Sequence, residues 1–78
     1  MTNDAISNCI RKLRFENGEM SQQELADRIG VTRQTVNAIE LSKYSPSLEV
    51  AFRIAAVFSV ALEEVFEYQS RPTRSRKS

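Results

Sequence analysis

The sequence predicts an all-α fold, a compact bundle of five short helices, and three observations carry that expectation. Apolar residues recur at helical spacing in successive blocks along the chain. A residue able to cap a helix stands ahead of four of those blocks: Asn8, Ser21, Thr32 and Ser47. The breaks between blocks fall on turn-formers, at Asn17-Gly18, at Gly30 and across the polar stretch 42–46.

Each element follows in order. Ile10 and Leu13 sit at helical spacing behind Asn8, and the pattern fails at Asn17-Gly18, so the first helix is expected over residues 9–16. The second is expected to start at Ser21-Gln22-Gln23-Glu24. There the Ser21 hydroxyl can accept from the Glu24 amide while the Glu24 carboxylate reaches back to the Ser21 amide, a capping box. Leu25, Ala26 and Ile29 make its buried stripe. Gly30, which enters a left-handed conformation without a side-chain clash, ends it. Only Val31 separates that glycine from Thr32, the cap of a third helix with Val36 and Ile39 inward, running to Leu41. Ser47 caps the fourth, whose inward face is read as Leu48, Ala51, Phe52, Ala55 and Phe58. Leu62, Val65 and Phe66 suggest a fifth, entered without a capping side chain because Ala61 precedes it. From Tyr68 onward there is no apolar periodicity, Pro72 intervenes, and Ser and Arg dominate, so that segment is expected to be disordered.

A chain of 78 residues holds one domain with one modest core. The expected division is an arm at 1–7, a domain at 8–68 and a basic tail at 69–78. Lys and Arg total 11 against 10 acidic residues, which is neutral on function. Position says more: residues 1–67 carry 7 basic against 10 acidic side chains, and Arg71, Arg74, Arg76 and Lys77 bring the remaining positive charge. Such a tail can track phosphates, or simply be solvated. The longest apolar run, 54–58, is far short of the roughly 20 residues a membrane span needs. A single cysteine and the opening Met-Thr-Asn-Asp suit a reducing, cytoplasmic setting, and Cys9 reads as a small apolar side chain near the core. With no histidine, no Gly-rich phosphate loop, no metal-ligand cluster and no nucleophile beside a base, no enzyme, metal site or cofactor is expected.

The second and third helices supply the functional signal. A tight turn containing Gly30 and the apolar Val31 holds two helices at a steep angle and projects the second outward, the signature of a helix-turn-helix. The run Met20-Ser-Gln-Gln-Glu-Leu-Ala-Asp-Arg-Ile-Gly-Val-Thr-Arg-Gln-Thr-Val-Asn-Ala-Ile-Glu40 resembles the core of the Cro and phage-repressor helix-turn-helix family, also called the Xre family. The likeness continues through Lys43-Tyr-Ser-Pro-Ser-Leu48 and Glu63-Glu-Val-Phe66 and is greatest with short single-domain regulators. Two departures stand out: Leu41-Ser42 replaces the Asn-Gly common after the third helix, and Ser59 stands where Gly is usual.

The resemblance implies a bundle of the lambda-repressor-like DNA-binding type, with its third helix in the major groove of double-stranded DNA. It directs Arg33, Gln34, Asn37 and Ala38 to base edges, and Gln22, Thr32, Lys43 and Tyr44 to the sugar-phosphate backbone. It also pairs Arg14 with Glu40 as a structural ion pair. Side-chain chemistry agrees, since Arg suits guanine O6 and N7, Gln suits adenine, and Ala can touch a thymine methyl. Helical spacing puts Arg33 with Asn37, and Gln34 with Ala38, on the face turned away from Val36 and Ile39. Tyr44 has a second reading, packing on the core, and Leu41 has two, touching a thymine methyl or shielding the core.

One such module reads few base pairs, and family members bind palindromes as two-fold dimers, so a homodimer is expected, with Ile54, Val57, Leu62, Val65 and Phe66 as its interface. The expected function is operator binding by a transcriptional regulator, most simply a repressor. The rival is a protein-interaction module, such as an antitoxin, whose main ligand is a protein. The polar outward face Arg33, Gln34 and Asn37 favours DNA.

Overall fold

The computed structural model describes residues 6–68, and these form five helices and a two-stranded ribbon. The order is β1 (Ile6–Asn8), α1 (Ile10–Glu16), α2 (Gln22–Ile29), α3 (Arg33–Glu40), α4 (Leu48–Phe58), α5 (Leu62–Val65) and β2 (Phe66–Tyr68). The expected tail at 69–78, with its four cationic side chains, and arm residues 1–5 lie outside the described residues.

Caps decide where the middle helices begin. At α2 the capping box is complete: the Ser21 hydroxyl accepts from the Glu24 amide at 3.0 Å, and the Ser21 amide donates to Glu24 Oε1 at 2.9 Å. Thr32 and Ser47 cap α3 and α4 in the same way, accepting from the Thr35 and Val50 amides. Gly30 takes φ +78° at the end of α2, and the amides of Gly30 and Val31 both donate to the Ala26 carbonyl. The exposed Arg53 on α4 closes this corner, donating to the Ile29 carbonyl at 3.1 Å and pairing with Glu49 at 2.7 Å.

The core lies where α1, α2, α3 and α4 converge. Ile10, Leu25, Ile29, Val36, Ile39, Ile54 and Val65 are fully buried, with Met20, Ala26, Ala55 and Phe58 around them. Full burial of one such aliphatic side chain contributes about 1.5–3 kcal/mol, and these seven come from five different helices, so the helices are stable only together.

Several expectations need correction. Asn8 is the last residue of β1 and Cys9 the cap of α1, though Asn8 Oδ1 still accepts from the Ile10 amide at 3.2 Å. Cys9 is half-buried and polar in its contacts: its amide donates to the Val65 carbonyl at 2.9 Å and its thiol to the Glu64 carbonyl at 2.9 Å. Leu48 and Phe52 do not face the core. They are 67% and 54% exposed, because the inward stripe of α4 is Ala51, Ile54, Ala55 and Phe58, with Ile54 in place of the two.

Phe66 and Tyr68 belong to neither a helix nor a disordered segment but to β2, which pairs antiparallel with β1 in the register Ile6 to Tyr68, Ser7 to Glu67 and Asn8 to Phe66. This ribbon is a small addition to an otherwise helical fold. Ile54 and Val65, read as interface residues, are each 1% exposed and are spent on the protomer's own core. Val57, Leu62 and Phe66 are half-buried and keep some outer surface.

Candidate nucleic-acid interface

The outward face of α3 follows from how its inward face is used. Val36 and Ile39 are buried against α2, so Arg33, Gln34 and Asn37 emerge into solvent and Ala38 sits half-buried between them and the following loop. One side of this face carries Arg33 and Asn37. The other carries Gln34 and Ala38, which share a shallow depression with Thr32, Thr35 and Tyr44.

Gln22, the first residue of α2, joins the two helices. Its Oε1 accepts from Arg33 Nη1 at 3.2 Å, and its Nε2 donates to Asn37 Oδ1 and to Glu40 Oε1, each at 3.1 Å. Beneath it, the Glu40 carboxylate takes Arg14 Nε at 2.7 Å and Arg14 Nη2 at 3.1 Å, a two-point pair with both side chains nearly sequestered from water. Arg14 Nη1 donates in turn to the Met20 carbonyl at 2.8 Å, tying the entry of α2 to α1. A continuous chain of hydrogen bonds therefore runs from the buried ion pair up to two exposed side chains on α3. The expected site residues on that chain come together, whereas the bridging role of Gln22 was not visible in the sequence.

The remaining expected residues flank α3. The Thr32 hydroxyl caps the helix and lies 3.0 Å from the Thr35 hydroxyl. The chain after α3 turns sharply: the Leu41, Ser42 and Lys43 amides donate to the Asn37, Ile39 and Ala38 carbonyls. Ser42 adopts φ +61° there, so the left-handed turn expected of a glycine is made without one. Lys43 is exposed, and Tyr44 is exposed on the Gln34 and Ala38 side rather than packed into the core. Leu41 is exposed at the end of α3. Among the described residues no three His, Cys, Asp or Glu side chains are grouped to hold a metal ion.

This arrangement is that of a known family. Its helix-turn-helix profile matches residues 10–65, most of the chain. The chain belongs to the helix-turn-helix family of DNA-binding transcriptional regulators. It is 46% identical over 61 residues to the uncharacterized helix-turn-helix regulator YgzD of Bacillus subtilis, covering 78% of this chain and 91% of that one. A regulator of the same type from Methanocaldococcus jannaschii is 50% identical over 50 residues, 64% of this chain and 76% of its own. The phage transcriptional repressor RstR of Vibrio cholerae is 37% identical over 60 residues, 77% of this chain and 53% of the repressor. Among solved structures, the hypothetical transcription factor NHTF from Neisseria superposes with a TM-score of 0.65 at 33% identity, over 70% of this chain and 61% of that one. A Bacteroides fragilis crystal structure reaches a TM-score of 0.71 over 80% and 98% of the two chains; at 21% identity it speaks for the fold alone. The likeness to Cro and phage-repressor proteins thus extends to named regulators, and the role shared with them is binding, not catalysis. Among the described residues no helix is long and apolar enough to cross a membrane.

Proposed function

We propose that this helix-turn-helix regulator is a repressor acting in the cytoplasm, binding a palindromic operator as a homodimer with α3 laid in the major groove. The observation that carries the reading is the Arg33, Gln22 and Asn37 network, which holds two base-reading side chain types on the outward face of α3 before any ligand arrives. Gln34 and Ala38 complete the base-reading set. Thr32, Lys43 and Tyr44 flank α3 where backbone contacts are needed. The first amides of α2, which helix geometry leaves without intrahelical acceptors, suit a phosphate beside Gln22.

Repression is supported by the likeness to RstR, and dimerisation by the few base pairs one module can read. With Ile54 and Val65 in the core, the surface available to a second copy is the apolar depression formed by Ile6, Pro46, Leu48, Leu62 and Phe66, with Val57 and Phe52 elsewhere on α4. The polar outward face of α3 disfavours the protein-only alternative of an antitoxin.

The test is selection from a randomised duplex pool at near-physiological salt, where non-specific phosphate binding is weak. Enrichment of two half-sites with centres about 34 Å apart is the expected result. Absence of any enriched sequence would overturn the reading and leave a protein as the principal ligand.

A further inference from the structure

Beside the base-reading face lies a second feature that the reading above does not use. Phe15 at the end of α1 and Leu41 at the end of α3 are 54% and 55% exposed, and both line a depression whose inner wall is Gln22, Asn37 and the Arg14–Glu40 pair. Arg11 stands on its outer rim, with its guanidinium carbon 5.7 Å from the centroid of the Phe15 ring. Among the described residues Arg11 has no ion pair.

Charge and continuity together select the occupant. Within the depression the Arg14 and Glu40 charges cancel each other, so Arg11 leaves it net positive. Gln22 at the start of α2 and Asn37 of α3 line it together with Leu41 and Phe15, so a ligand seated on α3 borders this depression. A sugar-phosphate strand has the matching alternation, a phosphate for Arg11 and the carbon faces of deoxyribose for Phe15 and Leu41.

We propose that Arg11, Phe15 and Leu41 form a flanking contact that grips the DNA backbone just outside each half-site; this rests on α3 entering the major groove. Arg11 supplies the charge, the Phe15 ring holds its guanidinium in place, and Leu41 packs on the sugar. The contact adds affinity without reading sequence, and it gives a physical role to the leucine that departs from the family's usual residue.

The experiment measures binding of the full chain to its selected duplex across salt, together with hydroxyl-radical footprints, for wild type, Arg11→Gln and Leu41→Ala. Both substitutions are at exposed positions, and unchanged thermal melts would confirm folding. For Arg11→Gln the slope of log K against log salt should shrink by about 0.9, so affinity falls roughly threefold less between about 50 and about 200 mM salt. Protection of the nucleotides outside the half-site should disappear, with the selected sequence unchanged. Leu41→Ala should weaken all sequences alike, by roughly three- to tenfold. If Arg33→Ala relaxes preference at one base pair while Arg11→Gln leaves slope and flanking protection as in wild type, the flanking contact is overturned and the major-groove reading stands. If wild type shows no sequence preference at all, both fall together.

Discussion

The carboxamide of Gln22 bonds three different side chains on the α3 side of the molecule. With one acceptor and two donors it serves Arg33, Asn37 and Glu40 at once, so its own hydrogen-bonding capacity is nearly filled. Gln22→Ala should therefore act through its neighbours: affinity for the selected operator falls roughly tenfold, and preference relaxes at the base pairs read by Arg33 and Asn37. A loss equal for all sequences would show that Gln22 touches only phosphate. Arg33→Ala should cost ~1–3 kcal/mol at the cognate site and relax one base pair, whereas Lys43→Ala should weaken all sequences about equally; parallel binding isotherms on cognate and scrambled duplexes separate the two. Beneath these residues, Glu40→Ala strands the Arg14 charge in a nearly dry site and should destabilise the fold by ~3 kcal/mol in urea unfolding. The shared outward exposure of Arg33 and Asn37 was legible from helical spacing, and the Arg14–Glu40 pair from the family motif. The bonding of Gln22 to Arg33, Asn37 and Glu40 was not, since partners 11–18 positions apart meet only through the packing of α2 on α3.

At the level of elements, local chemistry did most of the work. The starts of α2, α3 and α4 were readable because a Ser or Thr cap and its amide partner lie within three residues of each other. The ends were less so. Ser59 closes α4 at φ +57° and ψ +42°, where a side chain crowds the following carbonyl. Ser59→Gly should relieve about 1 kcal/mol and raise Tm by about 4–8 °C in a thermal melt; no rise would mean that the serine hydroxyl compensates. The α4 stripe was right at Ala51, Ala55 and Phe58 but included the exposed Leu48 and Phe52 and omitted the buried Ile54, because all three are large and apolar, and size is not direction. The ribbon β1–β2 left no local trace: two three-residue strands offer too little alternation to detect, and each is specified only by the other.

On the scale of the whole molecule, the surface left over after folding decides assembly. Leu48 is exposed beside Ile6, Leu62 and Phe66, and placing a charge there should not disturb the core. Leu48→Lys should leave the thermal melt of the protomer within about 1 kcal/mol of wild type while shifting sedimentation from dimer toward monomer. An unchanged sedimentation profile would place the two-fold contact elsewhere. Residues such as Ile54 and Val65 could not be excluded from that contact by sequence, because burial within one chain and burial between two chains produce the same apolar pattern. The pairing of Ile6 with Tyr68 has a separate consequence. The described residues begin and end on adjacent strands, so their two ends lie side by side, and the unit between them can be spliced into a surface loop of an unrelated protein without stretching the host or undoing its own core. Such an insertion would require only two short joins on one edge, with the outward face of α3 left free.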